Sequence, residues 1–122
     1  MIKFFICSDK LEEALIENPD TKLVAFVHAE TSTGVQSDAK TLCQLAKQYD
    51  CLSIVDCVTS LGGIAIELDA WQADAAYSGS QKCLSCSPGL SPVSFSELAA
   101  KTIRERKTPV QSWFLDLNLL MG

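Results

Sequence analysis

The chain has 122 residues, 48% of them hydrophobic and 20% charged, with a formal net charge of -5. That length and balance suit one domain with a real core and exclude a disordered chain or a two-domain layout. The negative charge excludes nucleic acid and anionic membranes as partners, because both reward clustered Lys and Arg. The one basic cluster, Lys101, Arg104, Arg106 and Lys107, is interrupted by Glu105 and reads as the wet face of a helix. Six cysteines occur with no signal peptide, and no apolar run is long enough to span a bilayer. Reduced thiols in an intracellular compartment are the expectation.

In chain order, Ile2–Cys7 is an apolar run that predicts a strand. Ser8 or Asp9 then caps a helix with Leu11, Ala14, Leu15 and Ile16, which Asn18-Pro19-Asp20 ends. Leu23–His28 predicts a strand buried on both faces, as in a parallel sheet. Glu30-Thr31-Ser32-Thr33-Gly34 follows as a hydroxyl cluster closed by glycine. Ser37 or Asp38 then caps a helix with Ala39, Leu42, Cys43 and Ala46 on one face. Leu52–Val55 is a second buried strand, so Leu23–Asp56 forms a βαβ crossover with parallel strands.

Leu61-Gly62-Gly63 predicts a turn, Ile64–Leu68 a short strand, and Asp69-Ala70-Trp71 a helical turn before Ala73–Tyr77 re-enters the sheet. Ser87-Pro88-Gly89 turns the chain, Pro92–Phe95 is another strand, and Ser96 caps a helix to about Lys107. Trp113–Met121 reads as a helix or its start, with Trp113-Phe114-Leu115 serving as core or dimer contact. The fold class is α/β, a mostly parallel sheet flanked by helices.

In open α/β sheets, ligands bind outside the carboxyl ends of the strands. Three such ends carry polar groups here: His28 to Thr33, Asp56 to Ser60, and Ser78 to Lys82. A carboxylate closing an apolar strand is costly to desolvate unless a cation or donor meets it, so Asp56 is a candidate; a turn-forming aspartate is the alternative. Lys82, in a loop of small and hydroxyl residues, could lose its proton and attack an aldehyde; a solvated surface lysine is the alternative. An acid at one strand end and a lysine 26 residues later at the next is the arrangement pyridoxal 5'-phosphate needs. The lysine holds the aldehyde and the acid keeps the pyridine nitrogen protonated. Thr31, with Ser32 near it, could meet the phenolic oxygen, and Val58 could pack on the ring. His28, the lone histidine, is given a structural role.

Three segments, His28-Ala29-Glu30-Thr31-Ser32-Thr33-Gly34-Val35, Val55-Asp56-Cys57-Val58-Thr59-Ser60-Leu61-Gly62-Gly63 and Tyr77-Ser78-Gly79-Ser80-Gln81-Lys82, together resemble the class V aminotransferases. Within that class the wording is most similar to the alanine–glyoxylate and serine–pyruvate aminotransferases, from about Leu23 to Gly122. The resemblance implies part of a fold-type I large domain binding pyridoxal 5'-phosphate. Lys82 would be the Schiff-base lysine, Asp56 the partner of the pyridine nitrogen and Thr31 the neighbour of the phenolic oxygen. Gln81 would reach the phosphate and Val58 the ring. The implied reaction moves an amino group from alanine or serine to glyoxylate or pyruvate, in a homodimer or in a pair with a full-length subunit; the expected compartment is the cytoplasm, or a peroxisome or mitochondrion where further segments carry a signal.

The family's phosphate-cradling segment and its small C-terminal domain, which brings the substrate-carboxylate arginine, have no counterpart in residues 1–122. The expectation is thus a partial cofactor-binding large domain, with a non-catalytic partner subunit or remnant as the other reading. Cys83-Leu84-Ser85-Cys86 leaves a third: a thiol-redox or metal module, against simple loop packing.

Overall fold

The computed structural model describes residues 7–121, so the strand expected at Ile2–Cys7 lies outside the described residues except for Cys7. Helix α1 runs over Ser8–Glu17 and begins at Cys7 with no side-chain cap, so neither Ser8 nor Asp9 caps it; both lie in its first turn. Only Leu11 and Leu15 of its apolar positions turn inward, while Ile16 stays exposed.

Strand β1, Leu23–Val27, leads into a hairpin of β2, Ala29–Glu30, and β3, Val35–Gln36. Gly34 closes that hairpin at φ +69°, a left-handed conformation that suits glycine, and its N–H donates to the Glu30 carbonyl at 2.8 Å. Helix α2, Ala39–Gln48, follows, and Asp38 caps it by accepting from the Thr41 N–H at 3.1 Å. Ala39, Leu42, Cys43 and Ala46 form its buried stripe, as their spacing predicts. Each leucine so buried stabilises the fold by about 1.5–3 kcal/mol.

Strand β4, Leu52–Asp56, pairs parallel with β1, from Leu23 opposite Leu52 to Val27 opposite Asp56. The expected crossover is therefore present. Helix α3, Leu68–Trp71, precedes β5, Ala75–Tyr77, which is parallel to β4, and β6, Val93–Phe95, closes the sheet antiparallel to β5. The sheet order is β1-β4-β5-β6. Helix α4, Glu97–Arg104, is capped by Ser96, and the chain then forms a 3-10 turn at Trp113–Leu115 and a short helix α5, Asn118–Met121. Ile64–Leu68 is not a strand; Leu61 and Ile64 make one isolated bridge beside the turn at Gly62.

The sheet is covered on one face, where Val24, Phe26, Val55 and Ala76 pack with Leu15, Leu42 and Trp71. The expectation of strands buried on both faces is corrected here. Along β1 burial alternates, with Leu23 and Ala25 exposed, because the helices packed on the sheet lie against the alternate residues. Trp113, Phe114 and Leu115 are likewise exposed, so they are not core.

One buried carboxylate ties the sheet to α4. Asp74 accepts from the Ser53 N–H at 2.9 Å and the Ser96 hydroxyl at 3.0 Å, while its own N–H donates to the Ser53 hydroxyl at 3.0 Å. Asp74→Ala would leave the Ser53 N–H unpaired inside the sheet, at a cost of about 1–3 kcal/mol. Urea unfolding of the variant is expected to show its midpoint lowered with an unchanged slope.

Candidate active site

The parallel register brings the ends of β1, β4 and β5 to one edge, and the hydrogen-bond ladder continues one step past them. The His28 N–H donates to the Asp56 carbonyl at 2.9 Å and the Cys57 N–H to the Tyr77 carbonyl at 2.8 Å. Loops that would otherwise diverge thereby start side by side.

Asp56 sits half-buried at the tip of β4. The Tyr77 hydroxyl donates to its Oδ2 at 2.7 Å and the Val58 N–H to its Oδ1 at 2.9 Å. Each oxygen keeps a lone pair for a further donor. Acceptance by Asp56 pushes the Tyr77 phenol above its ordinary value, with burial adding to the effect. Val58 is half-buried just beyond the carboxylate.

Thr31, in the hairpin loop, meets Thr59 hydroxyl to hydroxyl at 2.7 Å, which joins the β2–β3 loop to the loop after Asp56. Ser32 is turned elsewhere: its N–H and hydroxyl both donate to Glu30 Oε1, at 2.8 and 2.7 Å. Those bonds, the backbone one first, hold the Glu30 carboxyl below its usual range.

Lys82 opens a turn after β5, closed by the Ser85 N–H donating to the Lys82 carbonyl at 2.9 Å. Its side chain is exposed, and among the described residues its amine is in no ion pair. Ser80 anchors the loop's base: its N–H donates to the Leu90 carbonyl at 3.0 Å, and its hydroxyl to the Ser87 carbonyl at 2.6 Å. Gln81 folds its amide over Gly79, whose missing side chain leaves that space; a Cβ there would lie 2.7 Å from Gln81 Oε1. The turn rests on the Asp56 loop, because the Cys83 thiol donates to the Thr59 carbonyl at 3.2 Å and a Cβ on Gly63 would stand 2.7 Å from Cys83 Sγ.

His28 is buried, with Nδ1 3.0 Å from the Ser60 hydroxyl and its ring edge-on to Trp71 at 5.0 Å. Burial lowers its pKa, and its place is structural: it pins the loop after Asp56 to the end of β1. Tyr77 and Cys83 join the site without having been singled out for it, and Thr59, one of the polar residues expected at the second strand end, acquires its partners there. The partners of Tyr77, Cys83 and Thr59 are 21, 24 and 28 residues away in sequence, so only the folded register reveals them.

The sequence profile described as aminotransferase class V matches residues 5–109. The chain belongs to the class V aminotransferases. Over 102 residues it is 43% identical to an alanine–glyoxylate aminotransferase of Drosophila melanogaster, covering 83% of this chain and 26% of that protein. The solved alanine–glyoxylate aminotransferase from a Nostoc species superposes with a TM-score of 0.90 at 44% identity, over 97% of this chain and 31% of that one. The ureidoglycine–glyoxylate aminotransferase of Bacillus subtilis gives 0.87 at 36% identity, over 93% and 29%. The chain thus spans less than a third of the length of these relatives. The fold is that of fold-type I, and class V aminotransferases are pyridoxal-phosphate enzymes.

The class V residues in this chain fit that cofactor. A carboxylate with lone pairs to spare can accept from a pyridinium N–H, an exposed amine can meet an aldehyde, and a hydroxyl pair can face a phenolic oxygen. Among the described residues, no three His, Cys, Asp or Glu side chains gather as a metal site.

The Tyr77 bond to Asp56 carries a pH signature. A raised phenol pKa means that the bond contributes below the ordinary tyrosine value of about 10 and is lost as pH rises through the raised one. Ultraviolet titration of the chain is expected to show Asp56→Asn moving the Tyr77 transition back toward the ordinary range. A Tyr77 transition unmoved by that substitution would remove the bond.

Proposed function

We propose that this chain is the cofactor-anchoring part of an aminotransferase that moves an amino group from alanine or serine to glyoxylate or pyruvate. The observation that carries the reading is the shared edge where Asp56, Tyr77, the Thr31–Thr59 pair and the Lys82 turn meet. The relatives named for alanine and glyoxylate support the choice of substrates. Pyridoxal phosphate, when bound, supplies an aldehyde that condenses with amines and a ring that takes up an electron pair from a substrate carbon.

Each residue then has a bounded task. Asp56 holds a proton at the pyridine nitrogen, with Tyr77 and the Val58 N–H fixing the carboxylate's orientation. Thr31 and Thr59 would orient the ring through its phenolic oxygen, Val58 would border it, and Gln81 would serve the phosphate, while Ser32 stays committed to Glu30. Lys82 would hold the aldehyde through its amine, and the same amine, when free, could carry a proton as a general base. The exposed Trp113, Phe114 and Leu115 would pack against a second copy of the chain, in a homodimer.

The test is to mix the chain with pyridoxal phosphate, reduce with borohydride and map the modified lysine by mass spectrometry. Specific labelling at Lys82, lost in Lys82→Ala, is expected. Labelling scattered over surface lysines, or absent, would overturn the anchoring role.

Light scattering is expected to give twice the chain's mass, and Trp113→Lys to shift it toward the single chain. A monomer at every concentration would refute the dimer.

A further inference from the structure

We propose that Cys83 and Cys86 form a reversible modification site, at which a low-molecular-weight disulfide converts the two thiols into an intramolecular disulfide and releases the Lys82 turn from the loop after Asp56. The structure sorts the cysteines by access. Cys43, Cys51 and Cys57 are buried, out of reach of a reagent in solution, and burial pushes the Cys43 thiol up to about 11 and raises that of Cys57, so those two offer little thiolate at neutral pH. Cys83 and Cys86 are exposed, as is Cys7, which stands alone before α1. No core packing accounts for two thiols in this loop.

The backbone keeps the pair together. The Lys82–Ser85 turn puts Ser85 in the left-handed region at φ +56°, and the Cys86 N–H returns to the Ser80 carbonyl at 3.0 Å. Cys83 and Cys86 therefore flank a reversal inside a loop already closed at Ser80, where ring closure costs little further entropy. A third ligand for a metal ion is wanting among the described residues, which leaves thiol exchange as the chemistry of the pair.

Electrons balance in two steps. One protein thiol loses its proton and its thiolate attacks the reagent's disulfide, expelling one small thiolate and leaving a mixed disulfide. The second protein thiolate attacks the mixed disulfide, expels the other small thiolate and closes the ring. The protein gives up two electrons and two protons, and the reagent leaves as two thiols.

The consequence follows from Cys83's present contacts. Its S–H donates to the Thr59 carbonyl and its sulfur is seated against Gly63. A disulfide sulfur has no hydrogen to donate, and the Cβ–S–S–Cβ dihedral near ±90° draws Cys83 toward Cys86. Lys82, the preceding residue, moves with it. Loss of cofactor capture on oxidation rests on the function proposed above; the disulfide and the displaced turn do not.

The chain is incubated in graded mixtures of oxidised and reduced glutathione, alkylated and cut with trypsin. The peptide 83–101 is expected two hydrogens lighter and free of alkyl groups, and to revert with dithiothreitol. Lys82 acetylation by acetic anhydride is expected to change on bridging, and to stay constant under oxidant in Cys86→Ser. Two alkyl groups or separate glutathione adducts on this peptide at every mixture would overturn the site. A bridge that leaves Lys82 acetylation unaltered would overturn the release. Both readouts work without cofactor, so failure of pyridoxal phosphate to label Lys82 would defeat the proposed function alone.

Discussion

Two backbone hydrogen bonds, from the residues just past the ends of β1 and β4, tie the ends of three strands together and hold this site. A parallel pair whose ladder stopped at Val27 and Asp56 would leave the following loops free to part. The His28 N–H on the Asp56 carbonyl and the Cys57 N–H on the Tyr77 carbonyl instead carry the register into the loops. Every later contact inherits that alignment. Tyr77 reaches Asp56 because the two are register partners across β4 and β5, and side chains at paired positions share a face.

Small residues then let the loops close on one another. Gly63 admits the Cys83 sulfur, Gly79 admits the Gln81 amide, and hydroxyls on Thr31, Thr59, Ser60 and Ser80 satisfy groups that larger side chains would keep apart. This construction leaves Lys82 exposed and, among the described residues, outside any ion pair, in a turn that rests on the loop after Asp56, whose two carboxylate oxygens are each half engaged.

Much of this was legible in the residues. Leu23–Val27 and Leu52–Asp56 are β-prone runs long enough to stand out, and the helix between them shows its face at Ala39, Leu42, Cys43 and Ala46. Their order forces a crossover, and the crossover puts Asp56 at the ligand edge. The hairpin of Ala29–Glu30 and Val35–Gln36 was hidden, because two-residue strands have no periodicity to read. The role of Asp74 was hidden for another reason: its partners Ser53 and Ser96 lie 21 and 22 residues away, so nothing local marks it as buried. The sheet's second face differs from the expectation because an apolar strand records its own preference and not what packs against it; Ala25 is as apolar as its neighbours and is exposed.

The most direct measurement of the central claim, that the strand-end register makes Asp56 the partner of the cofactor's ring nitrogen, is nuclear magnetic resonance of the chain loaded with pyridoxal phosphate isotopically labelled at that nitrogen. The expected spectrum has a protonated pyridine nitrogen at neutral pH in the native chain, and a neutral one in Asp56→Asn. A nitrogen that titrates as in free cofactor, or that is unaltered by the substitution, would contradict it.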